Sequence, residues 1–414
     1  MTKRLGILTV GGDAPGQNVC VKSLVYSATE RNYDVIGIRK GWEGLLSYNP
    51  SDPSTHSENV MPLTNVRVRD IDRMPGSFLH SSRLEPGQVN AAAIPAFLKD
   101  QFDGQATADL TPHLKRTFAK LELDALIVLG DRAGLTYAAR LSAEGMPVIG
   151  IPKTVHNNVV GSDYALGFST ALGRGARFIN EVRAMAGSRE EIAVIEILGR
   201  NTGLTTMLIA FLAGADRTLI PEVPFDPERL ARLLRHDQQT NPNNYAILTL
   251  SEETHVVPDK AHAFLPELSR LANSRSLAEA FTNGERAKLE SAILSDLSGR
   301  RQVGSHVIGT GAVVTEILEN LTGQRCLFQP LSYLIRTGEP DGQDLLGAMN
   351  FARLAIKLFS EGKTGRLVAY RQKENYIDSP LDVVTQASGN ARVMDYYDAE
   401  EYAVKPAIFW AAGA

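Results

Sequence analysis

Short, largely apolar runs that alternate with helical segments constrain this chain most. LGILTV (5–10), DVIGI (34–38), ALIVLG (125–130), PVIGI (147–151), IAVIEIL (192–198), TLIPEV (218–223) and YAILTL (245–250) are dominated by apolar residues. Strands covered on both faces have this pattern. Between them NVCVKSLVYSATERN, LTYAARLSAEG and LTTMLIAFLAG carry helical spacing. Strand and helix in alternation predict an α/β chain, with mainly parallel sheets flanked by helices. At 414 residues the chain is too long for one ordinary core, so two domains follow. The seven runs fill two modest sheets. Residues 254–302, rich in helix formers, read as a helical insertion, and the segment from Met394 onward reads as a surface tail.

A net charge of −4 with no basic stripe argues against nucleic acid. No apolar run approaches the ~20 residues of a membrane span. The first strand begins almost at once, without the apolar region of a signal peptide. Cys20 and Cys326 are the two cysteines; they give neither a disulfide framework nor metal-ligand spacing, and a reducing cytoplasm is the expected setting.

The chemistry-bearing motifs sit at strand ends, where parallel sheets place ligands. TVGGDAPGQNVCVKS (9–23) runs from a strand through Gly11 and Gly12 into a helix, which brings backbone and N–H donors close to a phosphate; an unliganded strand–helix turn looks the same. GSFLHSSR (76–83) puts Arg83 after a Ser-rich turn, suited to clamping phosphate oxygens or to an ordinary surface loop. LIVLGDRAGLTYAARL (126–141) repeats the strand–turn–helix geometry at Gly130, with Asp131 and Arg132 in the turn. PKTVHNNVVGSDYALGF (152–168) carries Lys153, Thr154, His156 and Asn158 on a polar loop at a strand end. EILGRNTGL (196–204) and SYLIRTGEPD (332–341) each present an Arg beside a Gly. With Glu252 of LSEETH they are able to grip a polyol phosphate.

Taken in order, these motifs resemble the phosphofructokinase family, in its ATP- and pyrophosphate-dependent branches, over nearly the whole chain. YLIRTGEPD looks most like the longer pyrophosphate-type branch. The resemblance implies two α/β domains and phosphoryl transfer to the 1-hydroxyl of fructose 6-phosphate. It implies a division into 1–150 plus about 340–375 for the phosphate donor, and 151–339 plus about 376–414 for the sugar phosphate. Gly11, Gly12, Arg83 and Gly130 match the donor side. Thr154, Gly199, Arg200, Glu252, Tyr333 and Arg336 match the sugar side, with Leu198 where the family motif has Met. The resemblance further implies a homodimer or homotetramer, or a subunit beside an active paralogue.

The catalytic centre departs from the family. Arg132 stands where the family has the Asp that organises Mg²⁺, so Mg²⁺ is implied by the family and opposed by this residue; no metal ligand is assigned. The family's TIDND is TVHNN here, with His156 at the proton-accepting Asp and Asn158 at the second. Glu191 replaces a family Arg, with Arg189 two residues earlier. His156 remains able to act as a base near neutral pH, with Lys153 and Arg132 neutralising the transferred group. Lys153 is the residue of the pyrophosphate branch, while Ala133 is not the Asp that usually accompanies it, so pyrophosphate is slightly favoured over ATP. Three readings follow: a phosphotransferase with an altered centre, an inactive sugar-phosphate-binding paralogue or regulatory subunit, or a different sugar-phosphate reaction on the same scaffold.

Overall fold

The computed structural model describes residues 2–199, 202–260, 301–303, 306–308, 310–386 and 393–405. In chain order the main elements are β1 (Arg4–Val10), α1 (Gln17–Thr29), β2 (Asp34–Ile38), β3 (Val60–Pro62), β4 (Ala125–Gly130), α2 (Arg132–Ala143), β5 (Val148–Pro152), α3 (Phe168–Arg189), β6 (Ile192–Ile197), α4 (Leu204–Ala213), β7 (Arg217–Leu219), α5 (Pro227–Thr240), β8 (Ala246–Ser251), α6 (Thr310–Thr322), β9 (Cys326–Pro330), α7 (Gly342–Ser360), β10 (Arg366–Arg371) and β11 (Asn375–Pro380).

Contacts divide the chain into two units, Met1–Ala171 with Arg336–Gly389, and Leu172–Ile335 with Asn390–Ala412. The crossings fall at 171 and 336, not at the expected 150 and 340. The reason is pairing: β5 joins β4 on one side and β10 on the other, and Lys153 and Leu166 form a parallel bridge beyond it. The whole 152–168 loop therefore belongs to the first unit, with the glycine turn.

The first unit holds a seven-stranded sheet in the order β11-β10-β5-β4-β1-β2-β3. Its centre is parallel, and β3 and β11 run antiparallel at the two edges. Alternate residues of β1 and β4 feed two cores. Leu5, Ile7, Ile127 and Leu129 pack with Leu24, Phe351 and Ala355 on one face; Leu8, Val10, Leu126 and Val128 pack with Trp42, Leu114 and Leu135 on the other. Both faces are covered, which is why apolar residues dominate the strands.

The second unit holds a parallel four-stranded sheet, β9-β6-β8-β7. Val194, Leu248 and Leu250 pack against Met207, Leu230, Leu234, Val314 and Leu318. Asp226 caps α5 by accepting from Glu228 N and Arg229 N, with Pro227 at the first turn, the preferred arrangement for a helix start.

As far as Lys405, the expected surface tail is part of this core. Tyr397 and Tyr402 are each 2% exposed. The Tyr397 hydroxyl donates to Thr218 O at 2.6 Å, and Asp226 N donates to the Tyr402 hydroxyl at 2.8 Å. The segment up to Lys405 thus edges β7, where amphipathic tyrosines bury their rings and still satisfy their hydroxyls. Of the expected helical insertion, residues 261–300 lie outside the described residues. Among the described residues no helix is long and apolar enough to cross a membrane.

Candidate active site

The glycine turn after β1 is shaped by what crowds it. Gly11 has φ +81°, and a Cβ there would lie 2.2 Å from Asp131 Oδ2. A Cβ on Gly12 would lie 2.8 Å from Arg336 Nη1 and 3.4 Å from Arg83 Nη2. Only bare backbone fits between the carboxylate and the two guanidinium groups. The Ser-rich turn is tied to the same place: Gly11 N donates to Ser82 O at 3.1 Å and Ser81 Oγ to Gly11 O at 2.6 Å. These bonds bring the solvent-exposed Arg83 to the glycine turn.

Lys153 follows β5 and continues the ladder, donating its N–H to Gly130 O at 2.9 Å. Its side chain is fully buried, and Nζ donates to Gly12 O at 2.6 Å. Burial pushes its pKa down to about 8; Asp131 and Asp13 oppose the fall, while Arg336 and Arg83 add to it. A buried ammonium beside two carboxylates and two guanidinium groups is a concentrated phosphate-binding set.

His156 is 3% exposed, and its Nε2 lies 2.9 Å from Arg336 Nη2. Arg336, 7% exposed, also reaches Asp13 O at 3.4 Å. Thr154 shapes the loop, accepting from His156 N on its hydroxyl at 3.2 Å and donating its own N–H to Leu166 O. At the far end Asn157, at φ +48°, donates to Asp163 O at 2.9 Å, and Asp163 pairs with Arg371 at 2.7 Å. The return of the loop is anchored by Asp344 in the first turn of α7. Its buried carboxylate accepts from Gly167 N at 2.7 Å, Thr170 N at 2.9 Å and the hydroxyls of Tyr164 and Thr170. Burial raises the Asp344 pKa, against the pull of those four donors.

Arg132, expected among the catalytic residues, and Gly130, expected on the donor side, make the following contacts. Arg132 opens α2 and donates to Gln386 O at 2.9 Å; it is the preceding Asp131, the helix cap accepting from Gly134 N, that faces Gly11 and Lys153. Gly130 makes room for packing, since a Cβ would meet Val10 Cγ2 at 2.9 Å and Leu135 Cγ at 3.2 Å. Asp13, Asp131 and Asp344 were not assigned roles from the sequence, although the first two sit in its strand-end turns.

In the second unit Gly199 and Glu252 follow the paired strands β6 and β8. A Cβ on Gly199 would lie 2.0 Å from Ser251 Oγ, and Glu252 N donates to Ile197 O at 3.2 Å. Beside them the buried Glu196 accepts from Gly311 N at 2.6 Å; burial and the Glu252 charge raise its pKa against that bond. Tyr333 is 72% exposed. Arg200 lies outside the described residues. Arg189 and Glu191 are 4.0 Å apart.

Among the described residues no group of three or more His, Cys, Asp or Glu side chains is placed to hold a metal ion. Asp13 and Asp131 both act on the Lys153 ammonium.

Cations converging on a glycine turn at the ends of parallel strands define an α/β protein suited to phosphorylated ligands. The chain belongs to the phosphofructokinase family, whose model matches residues 4–359. It is 30% identical over 392 residues to a pyrophosphate–fructose 6-phosphate 1-phosphotransferase of Dictyoglomus thermophilum, covering 95% of each chain. It is also 30% identical over 372 residues to an ATP-dependent 6-phosphofructokinase of Chloroflexus aggregans, covering 90% of this chain and 88% of that one. A pyrophosphate-dependent phosphofructokinase structure from Marinobacter aquaeolei shares the fold, with TM-score 0.69 at 15% identity, over 98% of this chain and 89% of that one.

Proposed function

We propose that the chain is a phosphotransferase acting on fructose 6-phosphate, with pyrophosphate favoured over ATP as donor. The observation that carries this reading is Lys153, a fully buried ammonium on the Gly12 carbonyl with Arg83 and Arg336 beside it. Phosphoryl transfer is mostly positioning and charge neutralisation, and these groups supply both at the Gly11–Gly12 turn. A cation this close to the backbone favours a compact donor over a nucleotide. The 1-hydroxyl oxygen attacks the terminal phosphorus, the bond to the leaving phosphate breaks, and the hydroxyl proton passes to His156 Nε2. Recognition of the sugar phosphate is assigned to Arg336, Thr154, Gly199, Arg200, Glu252 and Tyr333 by their match to the family motifs.

Purified chain given fructose 6-phosphate with pyrophosphate or ATP, with and without Mg²⁺, tests the reading. Fructose bisphosphate should form faster with pyrophosphate. His156→Ala should lower turnover by at least about 10², the usual scale of general-base help. A second reading, binding without turnover, is favoured by one observation: the expected base already accepts a hydrogen bond from Arg336. No product with either donor, together with a rise in melting temperature on adding fructose 6-phosphate, would select it.

A further inference from the structure

His156 and Arg336 are 180 residues apart in sequence, yet both are more than nine-tenths buried and hydrogen-bonded to each other. A guanidinium only donates. Nε2 must therefore accept with its lone pair, and the ring is neutral with its proton on Nδ1. Protonating Nε2 would set a donor against a donor and two positive charges 2.9 Å apart. Lys153 and Arg83 add further positive charge around Arg336, while Asp13 and Asp131 supply the opposing negative charge. A proton acceptor has to offer a bare lone pair, and here Arg336 covers it.

The guanidinium also borders a pocket. Arg336 lines it at the amino end of α1, with Gly16, Gln17, Asn18, Gly76 and Gly338. The pocket opens to solvent and, with Arg336 in place, leaves only about 20 Å³ of room, so a ligand larger than water has to displace the guanidinium. The positive end of a 13-residue helix faces it. Gln17 is 1% exposed, and its amide oxygen has no hydrogen-bond partner, while its amide nitrogen is already committed to Gly76 O and Asp13 Oδ1. The pocket thus offers a guanidinium and a helix end for an anion, and an unused acceptor for a hydroxyl. A hydroxylated phosphate ester satisfies all three.

We propose that Arg336 is a positioning residue that fixes His156 as the neutral Nδ1–H tautomer and covers its lone pair until a sugar phosphate bound beside α1 draws the guanidinium away. Its catalytic consequence rests on the reading of His156 as proton acceptor: the base is exposed only when the acceptor substrate is present. The latch itself stands on the hydrogen bond and the pocket.

Long-range ¹H–¹⁵N NMR of the full chain tests it, with the His156 signal assigned from a His156→Gln sample. Without ligand, Nδ1 should be protonated and Nε2 bare, and the pattern should persist at pH 6, where an ordinary imidazole of pKa about 6.5 is mostly charged. Fructose 6-phosphate should shift the Nε2 resonance as its hydrogen bond is lost; inorganic phosphate, which lacks the carbon-bound hydroxyls, should do so only at higher concentration. Arg336→Met should let His156 titrate in the ordinary range, and Arg336→Lys should restore the tautomer in part. If the Met variant fails to fold, the Lys variant and the ligand titration of the wild type still decide the matter. A wild-type His156 already charged at pH 6, an Nε2-protonated tautomer, or no response to fructose 6-phosphate would overturn the proposal. The expected spectra without turnover would refute the catalytic reading alone; turnover with an ordinary His156 titration would refute the latch alone.

Discussion

Raising the pH should weaken donor binding through Lys153 while making the unliganded protein more stable. Burial lowers this ammonium to about 8 from its ordinary value of 10.5. On that value roughly nine-tenths of the folded chain carries the charge at pH 7 and roughly one-tenth at pH 9. If the charged form is the one that holds the donor at the Gly12 carbonyl, kcat/KM for pyrophosphate falls about tenfold between those pH values, since that ratio reports the free enzyme. Stability moves the opposite way. Between about pH 8 and 10.5 the unfolded chain keeps a proton that the folded chain has lost, so stability rises with pH, by about 3 kcal/mol over the window. Initial rates at subsaturating pyrophosphate and urea unfolding midpoints, both taken from pH 7 to 10, measure the two limbs. Lys153→Met should give low kcat/KM at every pH. Its stability at pH 7 should change little, because losing the desolvated charge offsets the loss of a donor to Gly12 O, a term of about 1–3 kcal/mol. A flat kinetic profile from pH 7 to 9, or activity and stability falling together, would refute the assignment of the buried charge to donor binding.

Gly11→Ala should destabilise the chain by about 1–3 kcal/mol, because φ is +81° and the new methyl would lie 2.2 Å from Asp131 Oδ2; a lower urea midpoint at unchanged slope measures it. Asp131→Asn keeps a residue able to cap α2 but removes a charge that supports the Lys153 ammonium, so the alkaline limb of kcat/KM should move to lower pH; an unmoved limb would remove Asp131 from the site's electrostatics. Tyr402→Ala should cost about 3–5 kcal/mol, because its ring is 2% exposed and its hydroxyl accepts from Asp226 N; a change under about 1 kcal/mol in chemical unfolding would return this segment to the surface.

What the sequence made legible is what local pattern controls. LGILTV and ALIVLG read as strands because every side chain in them is buried. The run TLIPEV is strand only to Leu219, since Pro221 has no N–H to continue the ladder. β9, β10 and β11 gave no such signal: Cys326–Pro330 is only half-buried, and the antiparallel edge strand Asn375–Pro380 mixes polar with apolar residues. In the site, Gly11, Gly12, Arg83 and Lys153 were legible because each stands at a strand end or in a turn joined to one. The hydrogen bond between His156 and Arg336 was not, because nothing local links positions 180 residues apart. Nor was the choice between Asp131 and Arg132. Asp131 is the extended cap, with φ −74° and ψ 178°, and Arg132 is the first residue inside the helix, so Asp131 faces Gly11 while Arg132 reaches Gln386 O.

That choice bears on what the replaced carboxylates mean. Measured against the family pattern, the chain exchanges three acids for Arg132, His156 and Asn158. If the His156 ring is uncharged, as proposed above, three negative charges become one positive charge, a change of four units. The acids that remain near the glycine turn do not restore the older arrangement. Asp13 and Asp131 act on Lys153, an ammonium already bonded to Gly12 O, so two carboxylates stand beside a fixed cation. A divalent ion entering there would meet Lys153, Arg83 and Arg336 as like charges. A polyanionic donor would meet the same three as partners, held in place by the glycine turn, the Ser-rich turn and the loop anchored on Asp344. Under the proposed function, the substitutions move charge neutralisation from carboxylates to the protein's own cationic side chains.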